Sequence, residues 1–258
     1  MRNRPVARYA LLVAILLLPF LASAQSGPGS GSSKAGASVP DLSGVWSMHM
    51  PASARPYINF AFTGDEPPMT PWAREKFNEA KPSFGPRVFP IQETNDPVYH
   101  SCYPPGVPRI YLHPFPMQII QTAGEVVILF EYDQMRRQIF TDGRPHDDSV
   151  GPTWMGDSIG HWEGDALVVD TTNFNDKTWL DRMGHPHSDA LHVVERFRRP
   201  SHDTLEIEMT FDDPKAYTKP WGAKLIYELK PTWKLMEQFC EDNQTFMNFE
   251  EKETTPAK

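Results

Sequence analysis

The sequence predicts a mainly β protein: an antiparallel up-and-down meander of nine or ten strands closing into a barrel, with one short N-terminal helix. Three observations predict it. Short segments with apolar residues at every second position recur from Met117 onward, most cleanly in Leu205-Glu-Ile-Glu-Met-Thr-Phe211. Tight-turn signals separate them at Ala123-Gly124, Tyr132-Asp133-Gln134, Glu163-Gly164-Asp165 and Pro200-Ser201-His202-Asp203. Proline makes up 26 of 258 residues, about twice its usual share of roughly 5%, which disfavours a helical bundle. At 40% hydrophobic and 12% aromatic residues the chain can bury a sizeable core. A formal charge of −8 argues against a nucleic-acid binder, which needs a basic face. Two cysteines exclude a disulfide-scaffold mini-domain and a four-cysteine zinc module.

Residues 1–24 read as a secretory signal. Arg2, Arg4 and Arg8 precede an apolar run from Tyr9 to Leu21, and Ala22-Ser23-Ala24 forms a small-residue cleavage site before Gln25. The run is shorter than the roughly 20 residues that span a bilayer, so no membrane span is expected after cleavage. Cleavage leaves 22 Lys+Arg against 33 Asp+Glu, a charge of −11. The Gly/Ser-rich stretch 25–39 reads as a flexible linker and 250–258 as a disordered tail, leaving a single domain over 40–249. A secreted or periplasmic location would let Cys102 and Cys240 pair. Such a bridge closes a 138-residue separation and is worth at most about 4–5 kcal/mol; the alternative is two buried free thiols.

The first strand opens at Asp41-Leu-Ser-Gly-Val-Trp46. A helix is expected from Thr70 to Ala80, with Thr70 as N-cap, Pro71 in the first turn, and Trp72, Phe77 and Ala80 on one face. Strands follow at 117–122, 125–133, 135–142, 158–163, 166–174, 191–199, 203–212, 222–230 and 234–241. In an unbroken meander the connections alternate between two ends. The turns at 133–134, 163–165, 200–202 and 231–233 then share a plain floor, and the long connections 143–157, 175–190 and 214–221 share the mouth. Long connections in compact domains are usually lids or binding loops.

Gly44-Val45-Trp46 resembles the G-x-W opening of lipocalin barrels. The segments Gly156–Phe174, Leu191–Phe197 and Asp213–Trp221 resemble a group of uncharacterised secreted bacterial proteins, across about residues 40–245. That resemblance implies a lipocalin-like barrel and export, and implies no particular reaction.

The mouth loops carry the chemistry. Loop 143–157 holds His146, Asp147, Asp148 and Trp154; loop 175–190 holds Trp179, Asp181, Arg182, His185 and His187; loop 214–221 holds Tyr217 and Trp221. Aromatic rings in water-facing loops are well placed only if they pack or bind, so Trp154, Trp179, Asp181, Arg182, Tyr217 and Trp221 are the expected ligand-binding set. On strand 191–199, Glu195 shares a face with Leu191, Val193 and Phe197 and points inward. A buried carboxylate must be paired or neutralised, and Arg137, inward beside Ile139, is the expected partner. That pair reads either as a register-fixing ion pair or as acid–base machinery at a pocket floor.

The first functional expectation is an exported barrel that binds a small, partly aromatic or apolar molecule at this mouth. The second is a cofactor-independent lyase, isomerase or hydratase using His146, Asp147, His185 or His187 as acid and base over Glu195 and Arg137. The third is a metal-dependent enzyme at His185-Pro-His187, with His146, Asp147 or His192 completing the site; the bland reading there is histidines that hydrogen-bond their neighbours. A purely structural envelope protein is the fourth. There is no nucleophile elbow, phosphate-binding loop, dinucleotide fingerprint or haem-attachment motif, and no cofactor is expected.

Overall fold

A computed structural model describes residues 39–49, 60–147 and 149–240. The expected signal (1–24), most of the linker and the tail (250–258) lie outside the described residues, as does Asp148. Nine strands form one closed barrel in sequence order. They are β1 Gly44–Met48, β2 Met117–Gln121, β3 Glu125–Phe130, β4 Arg136–Phe140, β5 Asp157–Glu163, β6 Ala166–Thr172, β7 His192–Ser201, β8 Thr204–Asp212 and β9 Trp221–Leu229. Every neighbouring pair is antiparallel except β4 and β5, which run parallel through Phe140 and Ile159. Parity requires such an exception, because strand direction cannot alternate all the way round a ring of nine.

The parallel pair corrects the expected sorting of loops. β4 ends at the floor and β5 begins at the mouth, so residues 141–156 climb the full height of the wall, about 23 Å for a strand of this length. The turn around 133–134 consequently sits at the mouth, with loops 173–191 and 213–220. The hairpins at 122–124, 164–165 and 202–203 lie at the floor.

The expected tenth strand, 234–241, does not form. β1 already pairs with both β2 and β9, so the closed ring offers no free edge. Residues beyond Lys230 instead leave the floor as an extended strap and climb to the mouth. There Met236 N donates to Glu131 Oε2 at 2.7 Å and Gln134 Nε2 to Met236 O at 3.1 Å. The strap ends in a disulfide between Cys240 and Cys102, Cα atoms 5.5 Å apart. The pairing is the expected one, with Cys240 on a strap and not on a last strand.

Between β1 and β2 the chain builds the cover of the mouth. Helix α1, Pro71–Glu79, starts where expected: Thr70 Oγ1 accepts from Ala73 N at 3.2 Å. Its buried face is Ala73 and Phe77, continued by the capping Ala80, at the i, i+4, i+7 spacing of one helical stripe. Trp72 is one position off that stripe and is exposed, contrary to expectation. A second short helix, α2 (Pro97–Ser101), is capped by Asp96. Then a 3₁₀ turn, Arg109–Leu112, sinks into the barrel with all four residues buried. Among the described residues no helix is long and apolar enough to cross a membrane.

Candidate functional site

The lumen is filled by side chains. Ile128, Ile139, Leu167, Val169, Val193, Leu205, Ile207 and Phe211 have no surface that water could reach. Below the 3₁₀ turn runs a polar belt with a group from each of four consecutive strands. Arg137 of β4 donates through Nε to Ser158 of β5 (3.1 Å) and through Nη2 to Thr171 of β6 (2.8 Å). Its Nη1 and Nη2 meet Glu195 Oε1 and Oε2 of β7 at 2.9 and 2.5 Å. Tyr111, from the 3₁₀ turn, closes the belt from above, its hydroxyl 2.6 Å from Arg137 Nη1. Burial opposes the Arg137 charge, but Glu195 and Tyr111 more than restore it and hold the guanidinium above its ordinary value. Burial drives the phenols of Tyr111 and Tyr227 up, so both remain protonated donors. All three guanidinium nitrogens of Arg137 are hydrogen-bonded, and the residue is 2% exposed.

The predicted acid–base residues occupy four separate hydrogen-bonded groups. Arg137 and Glu195 form the first, in the lumen. His146 and Asp147 are on the outer wall, in the climbing segment. There His146 Nδ1 is 2.7 Å from Asp157 Oδ2 and Nε2 3.0 Å from Asp170 Oδ1, while His192 Nε2 lies 2.9 Å from the other oxygen of Asp170. With a carboxylate at both nitrogens, His146 donates to both when its ring is protonated. Desolvation opposes that charge, and the bonds to Asp157 and Asp170 overcome it, so its pKa is raised.

His185 forms the third group. Its Nδ1 meets Asp181 Oδ2 at 2.5 Å, and its ring stacks on Phe77 with centroids 4.5 Å apart. His187 is the fourth, with Nδ1 donating to Ser188 O at 3.2 Å and Nε2 within 3.5 Å of Thr178 Oγ1. Among the described residues no three His, Cys, Asp or Glu side chains are arranged to hold a metal ion.

Most of the expected ligand-binding residues are packing elements. Tyr217 donates to Pro186 O at 2.8 Å, and Trp221 packs edge-on against both Tyr217 and Phe211. Arg182 is buried with its guanidinium 3.8 Å over Phe84, and Asp181 is spent on His185. Trp154 leans on Tyr103. Trp179 and His187 are different. Together with Trp72 and Lys76 of α1, and Asp176 and Lys177 of the β6–β7 loop, they line an open cleft of about 290 Å³ on the mouth rim.

No family model, curated protein or solved structure matches this chain. The site therefore has to be read from its own chemistry. Its lining offers the indoles of Trp72 and Trp179, the ammonium groups of Lys76 and Lys177, the carboxylates of Glu79 and Asp176, and the imidazole of His187. Burial keeps that imidazole neutral by pushing the His187 pKa down. With its proton on Nδ1, its Nε2 carries the lone pair, which faces Thr178 Oγ1 at 3.5 Å.

Sequence reading missed Trp72 and Lys76, because α1 was judged by its buried face alone. It also missed the contribution of 96–113, where Asp96, Arg109, Tyr111 and His113 carry buried polar groups. Arg and His inside the apolar run Val107-Pro-Arg-Ile-Tyr-Leu-His113 were the available signal.

Proposed function

We propose that this is an exported barrel protein that binds a small, partly aromatic or apolar molecule at the rim cleft between α1 and the β6–β7 loop. The observation that carries the reading is the pair Trp72 and Trp179 facing one cleft above His187, since indole faces left open to water are uncommon unless they bind. The ligand sits outside the lumen, on the rim, because the 3₁₀ turn and the polar belt fill the interior. The lipocalin-like reading draws support from Gly44-x-Trp46 at the start of β1 and from closure into a barrel. The ninth strand and the parallel pair depart from an eight-stranded up-and-down ring. Export draws support from the basic and apolar N-terminal run and from the disulfide, which persists in oxidising compartments. Sequencing the N-terminus of the mature protein from a periplasmic fraction tests it, with Gln25 as the expected first residue.

A panel of small aromatic and apolar compounds, screened by thermal shift, tests the binding reading. At least one should raise the Tm of the wild type and fail to do so in Trp179→Ala and His187→Ala. A panel without effect, or a shift that survives both substitutions, refutes the cleft.

A second reading rests on the neutral His187. An imidazole that lines a cleft, its Nε2 engaged only by a 3.5 Å contact to Thr178 Oγ1, can act as a general base for cofactor-independent isomerase, lyase or hydratase chemistry once that contact is displaced. Deuterium uptake from D₂O into a bound ligand, lost in His187→Ala, supports it; ligand binding without exchange refutes it.

A further inference from the structure

The end of the barrel opposite the 3₁₀ turn that plugs the mouth carries a second recess, of about 570 Å³. It lies at the floor, among β1, the end of β9 and the β7–β8 turn. Small-molecule sites occupy roughly 300–1,000 Å³, so the recess is large enough for one. Its apolar lining is Val45, Leu229 and Trp233, and Trp233 is 51% exposed. Its polar lining includes two cations, Arg199 and Lys230. Arg199 lies where the β7–β8 ladder shifts register, between Arg198 and Ser201, and such irregularities re-aim side chains. Its Nε and Nη2 donate to His202 O at 3.0 and 2.6 Å, and its Nη1 to Asp41 O at 2.7 Å and Ser43 O at 3.5 Å. Backbone carbonyls fix a guanidinium in place without cancelling its charge. Of its five N–H groups, one on Nη2 is left over from these bonds. Lys230 gives one N–H to Glu228 Oε2 at 2.8 Å, and its ammonium is 5.6 Å from the Trp233 ring centroid. The carboxylate of the lining, Asp41, accepts from Ser43 N at 2.9 Å. Bonds from the Ser43 hydroxyl and amide hold its pKa low against burial, with a smaller pull from Arg199. Two cations against one engaged carboxylate make the recess locally positive, in a chain whose formal charge is −8.

We infer that this floor recess binds a small organic carboxylate with an apolar or aromatic body, the anion meeting Arg199 and Lys230 and the body covering Trp233, Val45 and Leu229. Each half of that chemistry is needed. An inorganic anion would leave the exposed indole in water, where a ring of this size is poorly placed unless it packs or binds. An uncharged apolar molecule would cover a fixed guanidinium without supplying a counter-charge, which costs free energy. A carboxylate on an apolar body satisfies both, and charge-assisted bonds to it are the stronger kind. No residue lines both this recess and the mouth cleft, so the inference stands independently of what the cleft binds.

Calorimetric titration of the purified protein with 2-naphthylacetate and with 2-naphthylacetamide, its neutral match, separates charge from body without any substitution. The acid should bind saturably and about tenfold more tightly than the amide, and its affinity should fall as salt is added. Trp233→Ala removes a half-exposed ring, should leave the Tm near that of the wild type, and should weaken both compounds about tenfold. Lys230→Gln should weaken the acid and leave the amide unchanged. Trp179→Ala, in the mouth cleft, should alter neither. Arg199 also fastens the start of β1 to the β7–β8 turn, so its loss can disturb the floor itself and is not used. No saturable binding of the acid at millimolar concentration, equal affinity for acid and amide, acid binding that survives Trp233→Ala, or acid binding lost in Trp179→Ala would each overturn the inference.

Discussion

Arg137 and Glu195 face each other across the lumen from β4 to β7, two parallel bonds of 2.9 and 2.5 Å joining one guanidinium to one carboxylate. Buried pairs of this kind contribute little relative to a well-packed apolar pair, but losing one partner strands the other charge. Glu195→Gln is therefore expected to cost about 3–5 kcal/mol in urea unfolding, while the folded fraction keeps any ligand bound at the rim. A variant that binds no ligand but is as stable as wild type would return Glu195 to the catalytic set.

His146 fastens the climbing segment to the outer wall, and its grip depends on pH. Its folded pKa is raised above the ordinary 6.5 by Asp157 and Asp170, with desolvation opposing. The stabilisation is complete below pH 6.5 and is lost as pH rises through the raised folded value. Asp170 runs the other way: desolvation opposes, but His192 and His146 lower its pKa below 3.8, so its contribution holds above that value and fails as pH falls further. Proteolysis within 141–156 should accelerate from neutral to mildly alkaline pH in wild type. His146→Gln should be cut quickly throughout. A flat profile in wild type would show that another contact fastens the segment.

The disulfide joins residues 138 positions apart in sequence. Replacing both cysteines by serine should lower stability by about 4–5 kcal/mol at most, and dithiothreitol should reproduce the loss in wild type. Since the strap also bonds through Met236 and Gln134, the barrel itself should persist, with far-ultraviolet circular dichroism unchanged.

Gly106 sits at φ +69° in the approach to the plug, and a Cβ there would come within 2.3 Å of Trp154 O. Gly106→Ala combines left-handed backbone with a backbone collision and is expected to destabilise by about 1–3 kcal/mol. Gly164, also left-handed (φ +62°) but with no atom within 4 Å of its added Cβ, should lose only the conformational part when changed to alanine, so comparing the two melting temperatures separates strain from collision.

The inward faces of β4 and β7 were legible because alternation assigns every second residue to one side; Arg137 with Ile139, and Glu195 with Val193 and Phe197, needed no other information. Closure was legible from the number of strands. What was hidden depends on counting. Whether nine or ten strands form decides whether a parallel pair must exist, and the weak β-pattern of 234–241 looked like a strand until β9 had paired with β1. The mouth loops were found, but their aromatic residues were not separable into packing and binding groups. Trp221 packs against Tyr217 from the loop and Phe211 from β8, contacts that the composition of the loop does not reveal.

The parallel joint between β4 and β5 is secured by a single ladder pair, Phe140 with Ile159, whereas β8 and β9 share eight. Two side chains compensate: Arg137 reaches Ser158 from within, and His146 grips Asp157 from without. Native-state hydrogen exchange should thus begin at this seam, and the ring should part there as a curved sheet running from β5 through β9 and β1 to β4. Since the two halves of the buried charge pair sit on opposite sides of the break, water reaches Arg137 and Glu195 in the same event that opens the barrel.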